Sequence, residues 1–182
     1  MKRTGAVLAV ALVGLLMVGI AVAGLTDQWR THLDGASEVP PRDTSAHGRT
    51  VLHTSSDGSV VRFVLVTSNI ENVVQAHIHC GAAGVNGPIV VWLYPSVTAR
   101  EALIGPQPPS NGVLARGSFT DADVVDRPPS PQCPTGVTGL ADVLALLNSG
   151  GAYANVHTND GVDPPNTGPG DFPGGEIRGQ LE

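Results

Sequence analysis

The sequence predicts a mainly β fold, an antiparallel sandwich or flattened barrel with one short helix, on three observations. Apolar, β-branched runs of about six or seven residues recur between turn signals, the pattern of short strands in a layered sheet. Glycine and proline, 23 and 15 residues, make up about a fifth of the 182-residue chain and punctuate it too often for long helices. One segment stands out for helical periodicity.

The first strand is expected over 28–33. It runs into Gly35-Ala36-Ser37-Glu38-Val39-Pro40-Pro41, where the paired prolines lack amide donors and hold the loop extended. A second strand is expected over 49–54. Asp57-Gly58 then marks a hairpin turn before the β-branched run Val60-Val61-Arg62-Phe63-Val64-Leu65-Val66. The next strand, 73–79, is followed by a glycine-rich loop, 81–88, and by the apolar strand Ile89-Val90-Val91-Trp92-Leu93-Tyr94. Residues 113–119 form a further strand, and the proline-rich stretches 95–112 and 126–136 read as surface connections. Leu140, Val143, Leu144 and Leu147 fall at helical spacing and Gly150-Gly151 ends the helix. A strand over 152–158, an excursion over 159–170 and a closing strand over 176–181 complete seven or eight strands.

Lys2 and Arg3 precede residues 4–26, which carry no charge, and Ala21-Val22-Ala23 has the small-x-small form read by signal peptidase. Residues 1–23 are therefore expected to be an export signal and 24–182 a single domain. An uncleaved anchor is the competing reading, since the uncharged stretch is long enough to span a bilayer, and it is the only membrane contact expected of the chain. Both readings place the domain outside the cytoplasm, secreted or in the cell envelope. In that setting the even pair Cys80 and Cys133 is expected to form a disulfide, with Cys80 as a thiolate metal ligand the alternative. A net charge of −6 excludes a phosphate-backbone partner, so no nucleic acid is expected.

Three segments carry a longer pattern: Leu33-Asp34-Gly35-Ala36-Ser37-Glu38-Val39-Pro40-Pro41; then Ala76-His77-Ile78-His79-Cys80-Gly81 with the run from Ala83 to Leu93; and finally Tyr153-Ala154-Asn155-Val156-His157-Thr158 with Phe172-Pro173-Gly174-Gly175-Glu176-Ile177-Arg178-Gly179-Gln180-Leu181. Together they resemble the CHRD domain, named for chordin and also found in microbial exported proteins. The resemblance implies an immunoglobulin-like or superoxide-dismutase-like β-sandwich and no secure biochemical activity. Two departures stand out: residues 160–170 are inserted before Asp171, and Cys80 occupies the position after H-x-H where the family usually has glycine.

His77 and His79 are two apart on a predicted strand and so share one face. With His157 from another strand they make a candidate site for copper, or less favourably zinc, divalent copper leading the affinity order. The H-x-H is also similar to the copper site of copper-zinc superoxide dismutases, by analogy of architecture. The alternative makes the three histidines hydrogen-bonding groups at a sheet edge and a loop. His47 and His53 have nothing to place them near the trio, and His32 reads as a surface residue. Glu176 and Arg178 share a face of the closing strand and read as a cross-strand ion pair or a carboxylate holding a loop amide; beside a metal, Glu176 is the group to orient a ligand histidine. Trp92 is expected in the core. Asp160, Asp163 and Asp171 fit no calcium loop and read as a solvated excursion.

No nucleophile elbow is present and no catalytic residue is assigned. The expected function is that of an exported module binding a protein or ligand of the envelope or extracellular space, with the candidate copper site at His77, His79 and His157. A copper-dependent redox enzyme of superoxide dismutase type, with Arg178 as a positive guide, and a purely structural or adhesive domain are the alternatives.

Overall fold

The computed structural model describes residues 27–182 apart from 99, 104, 163–165 and 167. The expected export segment and Asp163 lie outside the described residues. Eight strands follow one another as β1 (Gln28–Asp34), β2 (His47–Thr54), β3 (Val61–Ile70), β4 (Val73–Cys80), β5 (Ile89–Tyr94), β6 (Ser110–Phe119), β7 (Ala152–Thr158) and β8 (Ile177–Gln180), with helix α1 (Leu140–Asn148) between β6 and β7. Each expected strand is present in the expected order. β3 and β6 run past the expected ends, to Ile70 and from Ser110, because they pair with one another through two irregularities of register.

All eight strands belong to one antiparallel sheet in the order β5-β4-β7-β8-β1-β2-β3-β6. The two end strands, β5 and β6, pack against each other, so the sheet nearly closes on itself. The free edge of β5 is covered by the chain after β6. There Val125 donates its amide to the Val90 carbonyl at 2.9 Å, and the Arg127 guanidinium donates to the Ile89 carbonyl at 2.7 Å. Covering an edge in this way removes a template for pairing with another chain.

Along β1, β2 and β3 one side chain in two enters a common core, to which the other strands add their inward residues. Leu33, Leu52, Leu65, Ile78, Val156 and Ile177 meet there, and the buried stripe of α1, Leu140, Val143 and Leu147, joins them. Asp121 caps α1 from a distance, its carboxylate accepting the Leu140 amide at 2.8 Å, while Asp142 in the first turn complements the helix dipole. Cys80 and Cys133 form a disulfide that pins the end of β4 to the 126–137 connection.

β2 and β3 show the alternation of a sheet with one wet face. β7 has no exposed residue, and β4 and β8 are nearly as enclosed. Their outward faces carry polar side chains yet do not reach solvent, because loops fold back over them.

Candidate metal centre

The pleat decides what these loops cover. Ile78, Ala154 and Val156 point into the core, so their neighbours His77, His79, Tyr153, Asn155 and His157 point out. The ladder sets His77 opposite Asn155, His79 opposite Tyr153 and Gln75 opposite His157, and on the other side of β7 it sets Asn155 opposite Arg178 and Tyr153 opposite Gln180. A continuous polar patch thus spans three strands on the outside of the barrel.

Three segments roof it. The 81–88 loop is held by Arg178, whose guanidinium donates to Asn86 Oδ1 at 3.0 Å and to the Val85 and Ala82 carbonyls at 2.9 and 3.2 Å. The loop after β1 joins it where Asn86 Nδ2 donates to the Val39 carbonyl at 2.7 Å. The turn before β8 closes the third side, with Arg42 donating to the Gly175 carbonyl at 3.2 Å and lying 4.9 Å over the Phe172 ring. Glycine is required at two points of this roof. A Cβ on Gly87 would run into the Cys80 carbonyl, and Gly175, at φ +119°, presses against the Glu38 carboxyl where a side chain would collide.

Under the roof the three imidazoles converge. One ring nitrogen from each of His77, His79 and His157 lies within 4.8 Å of the others, and no ring is more than 7% exposed. His79 Nδ1–H donates to the Gly87 carbonyl and His157 Nδ1–H donates to the Pro173 carbonyl, both at 2.8 Å. A carbonyl fixes the proton on Nδ1, so Nε2 of both rings carries a lone pair, the tautomer in which metal-binding histidines are held. His77 Nδ1 stands 3.3 Å from His157 Nε2, and by the carbonyl argument it donates to that lone pair. Two nitrogens bound at about 2.0–2.1 Å to one ion at a tetrahedral angle also stand roughly 3.3 Å apart. The pair is therefore at ligand spacing already; coordination through His77 Nδ1 would require that ring's proton to move to Nε2.

Burial keeps all three rings neutral. It lowers His77 from 6.5 to about 2, with His157 and His79 adding repulsion, and it lowers His79 and His157 to about 4 against the raising effect of their carbonyl bonds. Neutral imidazoles bind metal without first losing a proton to solvent.

The surroundings are aromatic and charged. Trp92 meets His77 edge-on at 4.3 Å between ring centres, and His79 stacks on Tyr153 at 4.7 Å. The half-buried Trp92 is therefore not part of the central core: the irregular β4–β5 register, which pairs it with His77, puts it on the polar face. Glu38 is buried beside Asn155, Arg178 and Arg42, and desolvation raises its carboxyl from 4.5 to about 7 despite those neighbours and the Val39 amide.

Glu176 and Arg178 have separate tasks. Glu176 accepts the Thr44 and Thr158 hydroxyls at 2.6 and 2.7 Å and the Gly170 amide at 3.0 Å, so its carboxylate holds a loop rather than a histidine. His32, His47 and His53 are exposed on β1 and β2. Glu38, Asn155 and Tyr153 went unassigned in the sequence reading, although all three lie in the quoted motifs and Tyr153 and Asn155 alternate with His157 on one strand face.

Residues 29–181 match the family model of the CHRD domain. No curated protein matches the chain.

Proposed function

Because the chain belongs to the CHRD domain family, and the family fixes no chemistry, we propose from the site itself that this is an exported module that holds a transition metal at His77, His79 and His157. The observation that carries the reading is the arrangement of the trio, with two rings locked by backbone carbonyls so that their Nε2 atoms present lone pairs, and the third already at ligand spacing. Three imidazoles suit divalent copper first and zinc second. The disulfide supports an extracytoplasmic setting. The nearly closed antiparallel sheet supports an immunoglobulin-like or superoxide-dismutase-like description of the barrel. A protein or ligand of that compartment is the partner such a module serves.

The redox-enzyme reading asks for a cationic guide at an open site. Arg178 is a poor guide, since its hydrogen-bonding groups are committed to the 81–88 loop and its face to Tyr153. Metal holding is therefore the better-supported activity.

Titration of the folded protein with copper(II) and with zinc(II) tests the proposal. One equivalent of copper bound by the parent, and lost in each of His77→Ala, His79→Ala and His157→Ala with the fold retained, is the expected result. Weak, non-stoichiometric binding that survives all three substitutions overturns it.

A further inference from the structure

Buried polar atoms without a hydrogen-bond partner are rare in folded proteins, and each calls for an explanation such as a water or an ion. Four of them lie in this one patch: His77 Nε2, His79 Nε2, Asn155 Oδ1 and Glu38 Oε1. In the tautomers fixed above, the first three are acceptors. Acceptors cannot satisfy one another, so the group the patch lacks is a cation or a hydrogen-bond donor. A metal on the trio takes up the His79 lone pair and leaves the His77 proton on Nε2, but neither ring nitrogen bonds Asn155 Oδ1, which stays without a donor.

Asn155 occupies the centre of the patch, opposite His77 on β4 and two residues from His157 on the same face. Its amide lies beside both the His79 ring and the Glu38 carboxyl. Glu38 in turn lines a surface cleft of about 300 Å³ between the 36–39 and 83–84 segments, floored by Arg178 and Gln180. The chain of groups Glu38, Asn155, His79 leads from that cleft to the trio.

We propose that the metal keeps one exchangeable coordination position on this side, filled by a water molecule whose hydrogen is accepted by Asn155 Oδ1. The proposal rests on the trio being a metal site and adds a fourth, non-protein ligand to it. Asn155 is then a positioning residue. The position takes small hydrogen-bond donors in preference to anions, because an acceptor oxygen faces it. A catalytic or ligand-exchanging metal keeps such a position, whereas a purely structural one is closed by four protein ligands.

Copper(II) loading of the parent, Asn155→Asp and Asn155→Leu, followed by electron paramagnetic resonance in water enriched in oxygen-17 and by azide titration, tests this. The parent is expected to show oxygen-17 broadening of the copper lines. Asn155→Leu still binds one equivalent, about ten- to a hundredfold more weakly, as removal of a group outside the ligand set does. It also binds azide more tightly than the parent, while Asn155→Asp binds azide more weakly. Asn155→Ser replaces the leucine variant if the latter does not fold. Absence of oxygen-17 broadening in a copper-loaded parent, or equal azide affinity in all forms, overturns the inference and leaves the three-histidine site standing. Absence of stoichiometric copper in the parent removes both.

Discussion

The Arg178 guanidinium carbon lies 3.4 Å from the centre of the Tyr153 ring, and His79 stacks on the same ring from the neighbouring strand. β7 lies between β4 and β8, so Tyr153 is clamped between an imidazole and a guanidinium. The contact ties the roof to the site: the cation that covers Tyr153 is the one that holds the 81–88 loop, and that loop holds His79 through Gly87.

Arg178→Met keeps an unbranched stem and removes both the cation–π contact and the hydrogen bonds to Asn86, Val85 and Ala82. A buried charge-assisted cluster of this kind is worth about 2–4 kcal/mol. Urea denaturation is expected to show that loss, with a lower midpoint and an unchanged slope. Arg178→Lys recovers little of it, since an ammonium cannot make the forked contacts.

The metal-free protein loses stability on acidification. His77, His79 and His157 titrate at about 2, 4 and 4 in the fold against 6.5 in the unfolded chain, so below 6.5 the unfolded state takes up protons first and is favoured as the pH falls toward 4. Glu38 acts in the opposite direction: raised to about 7 from 4.5, it contributes stability below 4.5 that is lost as the pH rises through 7. Three protons against one leave a net loss between 6.5 and 4.5. Glu38→Gln makes the acid loss steeper and removes the decline near 7, which thermal melts across pH 4 to 8 will show. An unchanged pH profile in that variant contradicts the assignment.

Gly87→Ala forces a methyl group into the Cys80 carbonyl and displaces the carbonyl that orients His79. Metal affinity is expected to fall about tenfold, the effect of disturbing a group that orients a ligand. Gly84→Ala is the control in the same loop, having open space where the methyl group goes but a positive φ of 76°, so it carries a backbone cost without touching His79.

The disulfide closes a loop of 53 residues, for which chain entropy predicts about 4 kcal/mol. The double variant Cys80→Ala, Cys133→Ala should melt roughly 10 °C lower than the parent. Since Cys80 ends the strand that bears His77 and His79, its copper affinity should fall as well; a loosened site with unchanged affinity would show that the loop bonds alone position the rings.

The strands were legible because inward residues such as Ile78, Val156 and Ile177 are apolar and their neighbours are not, and the H-x-H pair on one face followed from the same period. The approach of His157 to His77 was not legible from spacing, because it depends on the order β5-β4-β7, which joins strands far apart in sequence. Glu38 was hidden for a similar reason: it belongs to a loop that reads as extended, and only the roof over β7 and β8 buries it. Trp92 misled in the other direction. Its apolar neighbours Val91 and Leu93 suggested a core position, but the irregular register places its indole against His77. Glu176 and Arg178 were readable as a pair on one face, yet each found its own partners, hydroxyls and an amide for one and loop carbonyls for the other.

The imidazoles and the aliphatic residues that hold the barrel together occupy opposite faces of the same strands. Chemistry and packing are therefore inherited separately. A descendant of this chain can exchange His77, His79 and His157 for other polar side chains while Ile78, Ala154 and Val156 stay in place, and it will fold as before. A related barrel without the histidines would then be no evidence against common ancestry, and one with them would mark a lineage that kept the trio.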